Sequence, residues 1–136
     1  MSRKKVLLGN AFPMTLVRGR AVLVREIPVD ELSAEAAAGE VCSFWGHENT
    51  RVAAERVLGV GLKTMTARPA IALDAQGLPS LDGTSFARCF VLSPEYRAGW
   101  RPAVGQEVGV DAVLSWHALE LRWLERGADI GEYPLR

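Results

Sequence analysis

Apolar positions along the chain change period several times. Val6 to Phe12 opens with an apolar run that stops at Asn10 and Pro13, the pattern of a buried strand running into a polar loop. Ala21 to Ile27 sets Val22, Val24 and Ile27 around Arg25 and Glu26 and predicts a second strand, closed by Pro28. Glu31 to Ala38 is Ala-rich, follows Asp30, carries acid in its first turn and stops at Gly39, so it predicts a packing helix. Val41 to Trp45 is again short and apolar or small, as in a strand. Past Gly46-His47-Glu48-Asn49 the period becomes helical, with Val52, Ala53, Val57 and Leu58 on one face between Thr50 and Leu58, and with Gly59 and Gly61 ending the element.

The second half is less regular. Lys63 to Asp74 and Phe86 to Ser93 predict two strands joined by a long hairpin connection through Gly77, Pro79 and Asp82-Gly83. Tyr96 to Gly109, with Gly99, Pro102 and Gly105, reads as loop, and Val110 to Trp116 as a short helical turn. Ala118 to Glu125 alternates Leu119, Leu121 and Trp123 with Glu120, Arg122 and Leu124, which predicts a final strand with one polar face. No internal repeat, low-complexity stretch or linker interrupts the chain. The expected fold is α/β, one domain over 1–136, with a mixed central sheet of about five to six strands flanked by helices.

Composition narrows the function. A chain of 136 residues that is 49% hydrophobic can bury one core of its own. Sixteen Lys plus Arg balance sixteen Asp plus Glu, so no broad positive field exists to hold a long nucleic acid or an acidic membrane. The apolar runs fall short of the roughly 20 residues a membrane helix needs. The basic start, Ser2-Arg3-Lys4-Lys5, is not followed by a leader-type apolar region, so a cytoplasmic protein is expected, with Cys42 and Cys89 as thiols.

Several catalytic templates fail. A zinc-protease helix needs a second His where this chain has Arg51, and Cys42, His47, Cys89 and His117 lack the short pair spacing of a zinc site, so no metal is expected. Gly105 to Gly109 lacks the dinucleotide-loop arrangement, and no nucleophile elbow or Walker loop occurs. What remains is the junction Cys42 to Thr50, where a strand gives way to a helix. Free N–H groups and the positive dipole end at a helix start attract anions, and His47 stands beside that point. Imidazole, with a reference pKa near 6.5, suits proton transfer at neutral pH. A lone His there more often caps or packs, and residue types alone leave both readings open.

The residues at that junction carry a resemblance. Val6-Leu-Leu-Gly-Asn10-Ala11-Phe12, followed some thirty residues later by Cys42-Ser43-Phe44-Trp45-Gly46-His47-Glu48-Asn49-Thr50 and a helix ending in Leu58-Gly59, resembles the viral anti-CRISPR ring nuclease family. Its members show Asn-Ala-Phe near the first strand and Ser-x-x-Gly-His-(Glu or Asp)-x-Thr entering a helix. The likeness covers the first 60 residues well and the rest only through strand order. The family is a small α/β homodimer of archaeal viruses and bacterial type III CRISPR loci that cleaves cyclic tetra-adenylate, the messenger that activates CRISPR accessory nucleases.

The resemblance implies that His47 is the general acid that protonates the departing 5′ oxygen. The nucleophile is the substrate's own 2′ hydroxyl, so no metal or other cofactor is needed. It also implies a ligand pocket that includes Asn10, Gly46, Glu48 and Asn49, with Arg68 clamping a phosphate; Asn10 reads otherwise as a strand-end turn former and Arg68 as a solvated charge. Pro13 replaces a family Ser and removes a hydroxyl and a backbone donor, with Thr15 as its compensation. An Arg followed three residues on by a Glu becomes Glu95-Tyr96-Arg97, which assigns Glu95 and Arg97 to transition-state contacts in altered order. Trp45, Trp100, Trp116 and Trp123 read better as packing or dimer surface than as base-stacking platforms. The expected partners are a cyclic oligoadenylate, most simply the tetramer, and a second copy of the chain; the competing expectation is a module that binds the ring without cutting it.

Overall fold

The computed structural model describes residues 5–10, 12–17, 19–44, 48–62, 71–81, 83–96, 100 and 113–124, with the backbone alone at 48 and 49. In chain order the elements are β1 (Lys5–Gly9), a 3-10 turn (Met14–Leu16), β2 (Val22–Ile27), α1 (Val29–Ala38), β3 (Glu40–Ser43) and α2 (Glu48–Leu58). After these come β4 (Ala72–Leu73), β5 (Pro79–Leu81), β6 (Thr84–Ser85), β7 (Arg88–Tyr96) and β8 (Val113–Trp123).

Five strands form the main sheet in the order β2-β8-β7-β1-β3. β1 runs parallel to both β3 and β7, and β8 runs antiparallel to β7 and β2. As a result β1, β2, β3 and β7 all end at one edge, the carboxyl edge, and only β8 starts there. Burial on both faces of β1 explains its unbroken apolar run, since Val6, Leu7 and Leu8 are each no more than 3% exposed.

Each face has its own core. Val6, Leu8, Phe90, Leu92 and Ala118 pack against Leu32 of α1 and Ala54 and Leu58 of α2, so both helices cover the same face. On the opposite face Leu7, Cys89, Val91, Leu121 and Trp123 lie under Leu16, Phe44, Leu81 and Phe86, and this layer is completed by a small sheet ordered β4-β5-β6. The indole N–H of Trp123 donates to the carbonyl of Leu16 at 2.9 Å, which pins the 3-10 turn to that face. Helices thus flank the main sheet on one side and strands on the other.

Three expectations need correction. The stretch from Ala75 to Thr84 is two tight turns, around Gly77 and Gly83 with φ near 80° at both, with β5 between them; it is not one long connection. The strands on either side of it do not pair: β4 pairs with β5, whereas β7 pairs with β1 and β8. Finally, residues 113–116 are extended. Tyr96 faces Val113 and Pro94 faces Trp116, so β8 begins five residues before the predicted strand and pairing with β7 overrides the weak local pattern. Residues 110–112, and most of the predicted 96–109 loop, lie outside the described residues.

Candidate functional site

The two sequence segments that carry the candidate chemistry end adjacent parallel strands. Leu8 of β1 is in register with Ser43 of β3, and the amide of Phe44 donates to the carbonyl of Leu8 at 2.9 Å. Asn10 follows the first strand directly, and α2 begins four residues after Phe44. From β1 the chain turns onto the face of the second core, where Leu16 is buried; from β3 it passes through α2 onto the other face. Neighbouring strands whose outgoing connections diverge to opposite faces open a crevice at their carboxyl ends, the usual ligand position in open α/β sheets.

Gly9 shapes the end of β1. A methyl group built on it would overlap the Phe44 ring, so only glycine lets that ring, 7% exposed, lie across the end of β1. Pro13 is half-buried and holds the 3-10 turn through its carbonyl, which accepts from the Leu16 amide at 2.9 Å. Thr15 is exposed within that turn, and the Thr50 side chain is buried in the first turn of α2. The structure therefore sets Asn10 and the start of α2 at one edge, whereas the 3-10 turn that holds Thr15 is tied through Leu16 to Trp123 at the far end of β8. Gly46, His47, Arg68 and Arg97 lie outside the described residues, as do the side chains of Glu48 and Asn49.

Glu95 is placed differently. It sits on β7 four residues past Val91, the partner of Gly9, where β7 and β8 continue beyond the end of β1 as a two-stranded arm. There its Oε2 accepts from the Ser115 hydroxyl at 2.9 Å and lies 2.8 Å from His117 Nε2. His117 Nδ1 lies 3.8 Å from a carboxylate oxygen of Glu26 on β2. A ring with a carboxylate beside each nitrogen is stabilised as imidazolium. The hydrogen bond to Glu95, helped by the charges of Glu95 and Glu26, raises the His117 pKa above its ordinary value. In return the bonds from His117 and Ser115 hold the Glu95 carboxyl below the usual range. Sequence reading missed this cluster except for Glu95. Alternation on paired strands was its only signal, because it comes from three strands that meet through non-local pairing.

A second cluster was also missed. Glu120, expected on a polar strand face, is 5% exposed and binds Arg88 Nη2 at 2.5 Å and Arg88 Nε at 3.1 Å, with Arg25 at 3.4 Å. Burial disfavours its charge, but the hydrogen bonds and charge of Arg88, with Arg25 and Arg122, outweigh that and hold its pKa below the ordinary value. Cys89 is fully buried, and burial pushes its thiol well up, so it acts as a hydrophobe and not as a nucleophile.

No family model matches the chain, and no curated protein matches it. Among solved structures it is similar to B116 of Sulfolobus turreted icosahedral virus, with a TM-score of 0.53 and 13% identity over 87% of this chain and 98% of that one. The likeness is one of fold. Among the described residues no helix is long and apolar enough to cross a membrane.

Proposed function

We propose that the chain is a metal-independent ring nuclease that opens a cyclic oligoadenylate, most simply the tetramer, at the carboxyl-edge crevice. One observation carries the reading: the Asn10 segment and the Ser43 to Thr50 segment, which together resemble the ring nuclease family, flank adjacent parallel strand ends at a divergence of connections. The fold shared with a viral protein is consistent with it.

In this mechanism the ribose 2′ hydroxyl attacks the adjacent phosphorus, its proton passing to solvent, and the bond from phosphorus to the 5′ oxygen breaks. His47 gives its proton to that 5′ oxygen, and the product carries a 2′,3′-cyclic phosphate. The protein's tasks are to bend the ribose-phosphate into line and to stabilise charge on phosphorus, for which the amides opening α2, Arg68 and Arg97 are the proposed donors. Two copies of the chain would match the two-fold symmetry of the ring.

His47→Ala should lower single-turnover cleavage about a hundredfold or more while ring binding persists, since positioned acid catalysis contributes about 10² to 10⁴. Unchanged cleavage would refute the role. A rival reading, a module that binds the ring intact, is favoured by Pro13 in place of a hydroxyl and by Glu95 being engaged with His117 and Ser115. Incubation of labelled rings of three, four and six adenylates with the protein in EDTA separates the two, since linear product means enzyme and a stable complex means binder.

A further inference from the structure

At the amino edge of the main sheet, opposite the end of β1, the starts of β1 and β7 border a half-open cavity of about 510 Å³ with α1 and β6. We infer that this cavity binds a small organic carboxylate with an aromatic or apolar body. The volume falls within the range of small-molecule sites. Phe86 and Phe90 line it and supply apolar surface, and the Arg88 guanidinium stands 5.0 Å from the Phe90 ring centre.

Charge selects the head group. Arg88 is shared between Glu35 at 3.3 Å and Glu120 at 2.5 Å, and Glu120 also faces Arg25 and Arg122, so these groups offset one another. Lys5 has no carboxylate partner among the described residues. Its Nζ donates to the Thr84 hydroxyl oxygen at 3.3 Å, which leaves the remaining ammonium protons and the Thr84 proton to give. Two donors at that separation suit the two oxygens of one carboxylate. A cationic ligand would be repelled by Lys5, and a neutral one would form no ion pair with it.

The full chain labelled with ¹⁵N, titrated with phenylacetate, tests this inference. Amide shifts should saturate and concentrate at residues 5–7 and 84–90. Phenylacetamide, the neutral isostere, should bind about tenfold more weakly, as should phenylacetate to Lys5→Met, which matches the loss of one ion pair. Lys5 is exposed at the start of β1, and Thr84→Val provides a second variant with the same expected direction. The inference is overturned if no saturation is reached at millimolar ligand, if phenylacetamide or the Lys5→Met protein binds as well, or if the shifts gather at residues 43–50. It stands apart from the ring nuclease reading, because Lys5→Met should cleave or bind a cyclic oligoadenylate as the parent chain does.

Discussion

Gly9 and Phe44 are fitted to each other, and each can be tested through the other. Gly9→Ala should destabilise by about 1–3 kcal/mol through overpacking, and Phe44→Ala by about 3–5 kcal/mol through the cavity it leaves. The double variant should cost clearly less than their sum, since removing the ring removes the overlap; urea midpoints of the four proteins check it. His117 gives a pH signature. With its folded pKa raised, the stability it lends is full below about pH 6.5 and is lost as pH rises through the folded value. Glu95, with its pKa lowered, adds stability that is present above about pH 4.5 and is lost as pH falls through its folded value. Melting temperatures of the parent and of His117→Ala should therefore differ between those limits and converge in alkali. The same variant should leave any His47-dependent fall in cleavage with rising pH in place.

The end of α2 shows what was legible at the scale of an element. Gly59, expected to stop the helix, has φ near 72° and donates its amide to the Glu55 carbonyl at 2.8 Å. A methyl group built there meets nothing within 4 Å, so Gly59→Ala should cost only the left-handed strain, about 1–2 kcal/mol. Glu55 was not anticipated. One of its oxygens accepts from Arg51 at 2.8 Å and the other from the Leu62 amide at 2.7 Å, tying the helix to its exit. Glu55→Ala should lower stability by about 1–3 kcal/mol in a urea melt, because the Leu62 amide loses its acceptor. Elements whose signals are local were readable: the apolar run of β1, the strand over Val22 to Ile27, the helical face of α2 and its glycine stop. The first residues of β8 and the small sheet were not, because Val113 to Trp116 becomes a strand only by lying against β7, and Pro79 to Leu81 only between two turns. The candidate crevice was half legible. Its two segments were recognisable, but their adjacency depends on the parallel pairing of β1 with β3, which residue spacing does not reveal.

Glu120 ties the molecule together, because its carboxylate sits on β8 and is met by arginines from β2 and β7, while Arg88 reaches on to Glu35 of α1. Glu120→Gln should destabilise the chain by about 1–3 kcal/mol at neutral pH. Its folded pKa is lowered, so the parent's advantage holds above about pH 4.5 and fades as pH falls through the folded value, which acid denaturation of both proteins will show. The sheet is also uneven in a way that has a kinetic reading. Phe90 and Val91 have β1 on one side and β8 on the other, whereas Ser93 to Tyr96 pair only with Val113 to His117 among the described strands. Deuterium should accordingly enter the projecting arm long before it reaches the centre, at a rate set by local opening and not by unfolding of the whole chain.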